Sequence, residues 1–333
     1  MLDEPTAQLD KAGIERLFTR MRGLQDKGVT FLYISHHLEE VHQVCQDVTV
    51  LRDARRVVSA PVTDLPRSAL VEAMTGIAEQ LTESIHESHV ADDSPPRLEA
   101  LRMSGEGFTD VDLTVRVGEV VGLAGSSASG KTELAETLVG LRTARSGTTM
   151  VDGTPSPTGD VPHALAAGVG CVPRDRHQQG LVLHLSVAEN GALTIGDRLG
   201  PVGFVRTKLL RAFGRRMITD LDIRAHGPEQ AVDTLSGGNQ QKVAMARAMA
   251  THPRVLVLIN PTAGVDVKSK EALLGVVDTV RREGTAVVMV SDELDDLRRC
   301  DRVVVLFRGR AVTEHPAGWR DTDLVTSIEG VTT

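Results

Sequence analysis

The chain is short of three things, and each shortage closes off a class of function. Of its 333 residues only Cys45, Cys171 and Cys300 are cysteine, and none sits in a CxxC pair. A disulfide framework and a zinc site are therefore excluded, and isolated thiols suit a reducing cytosol as structural residues rather than nucleophiles. No apolar run approaches the ~20 residues that span a bilayer, and the first residues do not read as a signal peptide. Any membrane role is expected to go through a partner. Basic charge is scarce too: 37 Lys and Arg stand against 45 Asp and Glu, a formal net charge of −8, with a pI near 5.8. Phosphate backbones are gripped by clustered Lys and Arg, so nucleic acid is not expected as the main partner. Histidine pairs do occur, His36 with His37 and His86 with His89, but neither has further ligands beside it, and neither reads as a metal centre.

What is present begins with 333 residues, room for one large domain and part of another, with 41% hydrophobic residues, enough for a buried core, and 25% charged. The segment Leu2 to Asp10, Leu-Asp-Glu-Pro-Thr-Ala-Gln-Leu-Asp, lines up with Leu258 to Asp266, Leu-Ile-Asn-Pro-Thr-Ala-Gly-Val-Asp, at an offset of 256 residues. The same offset matches Gly28 to Gly284, Ser35 to Ser291 and Leu38 to Leu294. A match held over that distance indicates two copies of one domain. About 160 residues precede Ile259 within its copy, whereas the first copy starts almost at Asp3. The expectation is thus the tail of a first domain over 1–76, a polar acidic linker over 77–97 and a whole second domain over 98–333. Val29 to Ile34, Val255 to Ile259 and Ala286 to Val290 read as buried strands, because continuous apolar runs between helical stretches belong to a parallel sheet covered on both faces. Ala69 to Met74 reads as a closing helix ended by Gly76, and Leu324 to Gly330 repeats that ending.

The chemistry starts at Gly125-Ser126-Ser127-Ala128-Ser129-Gly130-Lys131-Thr132, which fits G-x-x-x-x-G-K-[ST] in full. Strand-like Val120 to Leu123 precedes it and helical Glu133 to Leu138 follows, the context that distinguishes a phosphate loop from a Ser/Gly-rich turn. Glycines there let backbone N–H groups converge on phosphate oxygens at a helix N-terminus. Lys131 would reach the β and γ phosphates, and the Thr132 hydroxyl would ligate Mg²⁺. Leu235-Ser236-Gly237-Gly238-Asn239-Gln240-Gln241-Lys242 then opens a helix running through Ala250, with Ser236 as its N-cap and exposed donors that suit a second anion. Alone, that turn would be an ordinary helix cap.

The order of these motifs resembles the ATP-binding cassette of ABC transporters. The Asn239-Gln240-Gln241-Lys242 continuation, with Val172-Pro173-Arg174-Asp175-Arg176, Gly180-Leu181-Val182 and Ser186-Val187-Ala188-Glu189-Asn190, is similar to the importers for ribose, galactose and xylose, in which two cassettes are fused. The resemblance implies an α/β fold with a parallel-sheet core and a helical subdomain carrying the signature Ser236, Gly237, Gly238 and Gln240. It also implies ATP and Mg²⁺ as cofactors, with Asp3 as the metal-holding aspartate, Glu4 as the base that activates water, Asp10 as the following loop aspartate and His36 as the group on the γ-phosphate. In-line phosphoryl transfer needs such a metal, an oriented water and a group near the developing charge. The implied partners are a membrane-spanning permease, an external sugar-binding protein reached through it, and a second copy paired through nucleotide. The implied location is the cytoplasmic face of the membrane.

The second copy departs from this pattern. Asp3 corresponds to Ile259, Glu4 to Asn260 and His36 to Asp292. Ile259 cannot coordinate a metal, Asn260 cannot accept a proton, and Asp292 puts a negative group where a phosphate would come. Arg174 stands where the family's second cassette usually has an acid. The first copy keeps Asp3, Glu4 and His36 but has no phosphate loop or signature within the chain. The expectation is an energising subunit of a monosaccharide importer, truncated at its start and hydrolysing poorly alone. A non-catalytic nucleotide-binding or regulatory protein and an inactive remnant are the alternatives.

Overall fold

In the computed structural model, residues 1–3, 5–6, 11–35, 38–52, 55–65, 69–70, 73, 94–201 and 204–330 are described. Glu4, Asp10, His36, His37, His86, His89 and most of the acidic stretch lie outside them. The chain forms two compact units, Met1–Ser84 with Asp266–Lys268 and Ile85–Val265 with Ser269–Thr333.

The larger unit is built on a six-stranded sheet. Its strands are β7 (Val120–Ala124), β10 (Val169–Val172), β11 (Val255–Ile259), β12 (Ala286–Val290), β13 (Arg302–Phe307) and β14 (Arg310–Pro316). Their order is β10-β11-β12-β7-β13-β14, parallel throughout except for the antiparallel edge strand β14. Each residue of β7, β11 and β12 is buried, because alternate side chains feed opposite faces. Val121, Leu123, Val257, Ile259, Val288 and Val290 pack on one face against Leu134 and a four-stranded antiparallel sheet. That sheet, in the order β6-β5-β8-β9, comprises β5 (Pro96–Ser104), β6 (Val111–Arg116), β8 (Ser146–Val151) and β9 (Thr154–Pro155). On the other face Leu256, Leu258, Val287 and Met289 meet Leu273, Leu274 and Val277 of the helix Val267–Arg282, together with Trp319 and Leu324. Each such aliphatic side chain contributes about 1.5–3 kcal/mol on burial, so the apolar runs read in the sequence are what hold the strand ends in place. A third cluster, Val187, Met217, Ile223, Val232 and Val243, makes a helical subdomain from the helices Val187–Ala192, Thr207–Asp220 and Gly237–Met249. The α/β fold with a parallel core and helical signature subdomain is thus as the motifs implied.

The smaller unit repeats part of this plan internally. Its strands β1 (Leu2–Asp3) and β2 (Tyr33–Ile34) pair in parallel as Leu2 with Tyr33 and Asp3 with Ile34. At the 256-residue offset, the larger unit pairs Leu258 with Met289 and Ile259 with Val290, the same register. The helix Lys11–Gln25 corresponds to Val267–Arg282, and Gly28 and Gly284 end those helices with φ of +86° and +91°. The hairpin β3 (Asp47–Arg52) with β4 (Arg55–Pro61) matches β13 with β14, down to a bulge between Val50 and Leu51 that recurs between Val305 and Leu306. A side-chain knot recurs as well. Glu40 accepts hydrogen bonds from Thr6 at 2.9 Å and Ser35 at 3.2 Å. Asp296 accepts from Thr262 at 2.5 Å and Ser291 at 2.8 Å, all three at the shared offset.

One expected strand is shorter than the sequence suggested. Val29 to Ile34 reduces to Tyr33–Ile34, and Val29, Leu32 and Ile34 are exposed. Its counterpart β12 lies between β11 and β7, whereas β2 has β1 alone as a partner among the described residues. An apolar run is buried only where neighbours flank it on both sides.

Candidate phosphate-binding site

Strand register assembles the site. Val172, Leu258, Met289 and Gly122 are level across β10, β11, β12 and β7. Two or three residues further on stand Arg174, Asn260, Asp292 and Gly125, along the carboxyl edge where open α/β sheets take their ligands. The phosphate loop turns from β7 into the helix Lys131–Leu138, with Gly130 as its left-handed N-cap at φ +89°. A Cβ on Gly130 would lie 2.2 Å from the Gly107 carbonyl oxygen, and one on Gly125 2.4 Å from the Leu306 carbonyl oxygen, so both positions demand glycine. Ser126, Ser127 and Ala128 are exposed at the crest, while Ser129, Lys131 and Thr132 are buried beneath it. The Ser129 Oγ is buried without a hydrogen-bond partner. This cradle of backbone and glycine fits a phosphate chain.

Lys131 does not point into open space. Its Nζ donates to the Gly125 carbonyl and, at 2.6 Å, to the Asp292 carboxylate. The other Asp292 oxygen accepts from Asn260 Nδ2 at 2.9 Å. Burial alone would push the Asp292 carboxyl up, but the Lys131 charge and hydrogen bond, the Asn260 amide and the Arg174 charge together hold it below the usual carboxylate value. Asn260 itself adopts the left-handed region, φ +48°, and its Oδ1 is buried without a partner. Ile259 is wholly buried in the core, facing away from any solvent-borne ion. The sequence marked Asp292 as a repulsive neighbour of phosphate. Its salt bridge to the loop lysine was invisible there, since 161 residues separate the two.

The described side chains on this side of the sheet do not by themselves make a metal site. Among the described residues no three His, Cys, Asp or Glu side chains converge to hold an ion. Thr132 offers a hydroxyl, but the adjoining carboxylate is already shared by Lys131 and Asn260. Asp3 lies in β1 of the smaller unit, with Glu4 and His36 outside the described residues, so its expected metal role has no described companions. Burial pushes the thiols of Cys45, Cys171 and Cys300 up, which agrees with inert structural cysteines.

The signature turn is tied down by neighbours the sequence did not single out. Ser236 occupies the N-cap of the helix Gly237–Met249 as expected, but its side chain makes no bond to the helix backbone; its Oγ accepts from Asn239 Nδ2 at 2.8 Å. Gln240 is buried, bonding the Val232 carbonyl at 3.2 Å and the His177 ring at 2.9 Å. A Cβ on Gly237 would lie 3.1 Å from the Arg176 guanidinium, which itself donates to the Ala263 carbonyl at 3.2 Å. Arg176 thus lies beside the signature while bonded to the turn after β11.

Comparison with known proteins supplies the family. Residues 108–263 match the family described as ABC transporter. The ribose import ATP-binding protein RbsA 2 of Rubrobacter xylanophilus is 41% identical over 314 residues, covering 93% of this chain and 60% of that protein. The galactofuranose transporter ATP-binding protein YtfR of Escherichia coli is 36% identical over 319 residues, covering 95% of this chain and 64% of its own length. This chain therefore spans somewhat less than two thirds of these relatives. Among solved structures, a dimeric ATP-binding cassette in a post-hydrolysis state with ADP and Pi superposes with a TM-score of 0.58 at 23% identity, over 67% of this chain and 100% of that one. A nucleotide-free cassette from an ABC transporter gives 0.59 at 19% identity, over 71% and 96%. Identities that low speak for the fold alone. Motifs, strand order and relatives agree that residues 108–263 match the ABC transporter family, the larger unit having the fold of an ATP-binding cassette.

Proposed function

We propose that this chain is an ATP-binding subunit energising a monosaccharide importer. The observation that carries the reading is the glycine-built cradle at Gly125–Thr132, in one unit with the Ser236–Gln240 signature turn, in a chain whose relatives are named for ribose and galactofuranose transport. Backbone N–H groups of the loop and Lys131 would hold the β and γ phosphates, with Thr132 beside them. The signature Ser236, Gly237, Gly238 and Gln240 would close over a nucleotide on a facing cassette. Asp3, Glu4 and His36 form the hydrolytic set of the first domain, residues 1–76, joined through 77–97 to the second, 98–333. Mg²⁺ belongs with Asp3 in that set, opposite a phosphate loop that these 333 residues do not contain. The ion would neutralise charge on the transferred phosphoryl group.

Partners are a membrane-spanning permease and, through it, an external sugar-binding protein, with the chain peripheral at the cytoplasmic face. Among the described residues no helix is long and apolar enough to cross a membrane, which agrees with contact through a permease. Two chains pairing through their larger units would set each Lys131 against the other's Ser236, an isologous arrangement strengthened by ATP. A fluorescent ATP analogue tests the core of this reading. Binding by wild type that is lost in Lys131→Ala supports it, and equal binding by both overturns it.

One set of contacts favours a second reading, nucleotide binding without turnover at the Lys131 site. Ile259 supplies no metal ligand and Asn260 no proton acceptor, and Lys131 is engaged by Asp292.

A further inference from the structure

We propose that the Lys131 site binds nucleoside triphosphate without a divalent cation, and that Arg174 supplies the positive charge on the terminal phosphate that a metal would otherwise bring. This rests on the reading of Gly125–Thr132 as a nucleotide site.

The grounds are positional. A triphosphate seated on the loop brings about four negative charges, which must be met by cations of some kind. The polar groups able to meet them lie at the carboxyl edge of β10, β11, β12 and β7. On β11 the wall is Ile259, fully buried and apolar, followed by the neutral Asn260. On β12 the carboxylate of Asp292 is bridged between Lys131 at 2.6 Å and Asn260 at 2.9 Å. On β10, two residues past Val172, stands Arg174. It is exposed and near enough that its charge acts on the Asp292 carboxylate. A divalent ion entering here would meet the charges of Lys131 and Arg174, an apolar wall, one carboxylate already spoken for, and as other oxygens only the neutral Asn260 Oδ1 and Thr132 hydroxyl. Mg²⁺ keeps a near-octahedral oxygen shell and depends on one or two carboxylates besides phosphate and water. The same two cations that repel it suit the phosphate. A guanidinium can hold two phosphate oxygens at once through its planar fork of donors, and it stays charged at all working pH. When nucleotide arrives, Lys131 exchanges Asp292 for phosphate, and Arg174 lies across the same edge to take up the released carboxylate or the γ oxygens.

The two sites of the proposed importer would then differ in chemistry. Asp3 would serve a metal-dependent site, and Lys131 a metal-independent one that binds and does not turn over.

The experiment is a titration of the full chain with a fluorescent ATP analogue, in excess Mg²⁺ and again in excess EDTA. Wild type should bind with dissociation constants within about threefold of each other in the two buffers. A charge-assisted contact is worth enough that Arg174→Gln should weaken binding in EDTA by about tenfold, and Arg174→Lys should retain most of it. Both substitutions are at an exposed position, and circular dichroism checks that the fold is intact. Binding that vanishes in EDTA overturns metal independence and leaves the nucleotide site standing. EDTA-resistant binding that is unchanged in Arg174→Gln overturns the role of Arg174. Binding that Lys131→Ala fails to reduce in either buffer overturns the underlying site as well.

Discussion

At the scale of single residues, the contact that governs the site is Lys131 with Asp292. On the proposed reading nucleotide and Asp292 would compete for one ammonium group, so removing the carboxylate should help the nucleotide. Asp292→Asn is expected to tighten ATP binding by roughly threefold to tenfold, because one charge-assisted contact no longer has to be broken and the Asp292 side chain is half exposed. Isothermal titration of the two proteins decides it, and weaker binding by the variant would show that Asp292 helps the ligand instead. The pH dependence follows from the direction of the shift. A carboxyl held below its ordinary value favours the folded state at every pH above the usual aspartate range. That contribution fades as pH falls through the lowered value. Urea midpoints of wild type and Asp292→Asn should therefore differ more at pH 7 than at pH 3.

At the scale of elements, buried ion pairs fasten helices to the sheet edge. Arg281, near the end of the helix Val267–Arg282, donates to both oxygens of Asp301 at 2.8 Å, and Asp301 also accepts from the Val120 backbone at 2.8 Å. Both side chains are about 95% buried. Removing one partner strands the other charge, at a cost of about 3–5 kcal/mol. Asp301→Ala should lower the melting temperature by on the order of ten degrees, since a domain of this size loses about 2–4 °C per kcal/mol. A calorimetric shift of only a degree or two would mean that water rescues Arg281. The turn from β7 into its helix is equally intolerant. Gly130→Ala combines a disfavoured left-handed backbone with a clash on Gly107, and it should abolish nucleotide binding while also lowering stability by more than ~1 kcal/mol.

At the scale of the molecule, the two units have cores of very different size. The larger has two extensive clusters on either side of its central sheet. Among the described residues the smaller has a cluster of Phe18, Met21 and Val44 with a few half-buried neighbours, besides buried Val41, Val50, Val62 and Leu70. Small cores are marginal, so the smaller unit should open first. The chain reports this by itself, because its single tyrosine, Tyr33, lies in the smaller unit and its single tryptophan, Trp319, in the larger. In a urea series the Tyr33 signal should be lost before the Trp319 signal. Coincident transitions would mean one cooperative unit. Catalysis belongs to this scale too. The chain alone should hydrolyse ATP at least 10²–10⁴-fold below a typical ~10 s⁻¹, the factor attributed to a missing general base. Enzyme-like turnover that disappears in Lys131→Ala would reveal a base the present chemistry does not include.

The sequence by itself determined the phosphate loop, the signature turn and the repeat, because each is a local pattern whose physics acts within a few residues. Gly125 and Gly130 are needed by the turn itself, and the apolar runs of β11 and β12 announce a doubly covered parallel sheet wherever they are placed. That Ile259 and Asn260 stand where the first copy has Asp3 and Glu4 was legible from the offset alone. Only the tertiary structure decided that Asp292 holds Lys131, that Arg174 stands at the same strand edge, and that Arg176 lies beside Gly237. These residues lie far apart along the chain, and strand order rather than sequence spacing sets which of them meet. The same holds for the run Val29 to Ile34, whose composition asks for burial that only flanking strands could give. Patterns carry what the backbone needs locally, whereas long-range charge pairing is settled by which side chains the packed core brings within reach.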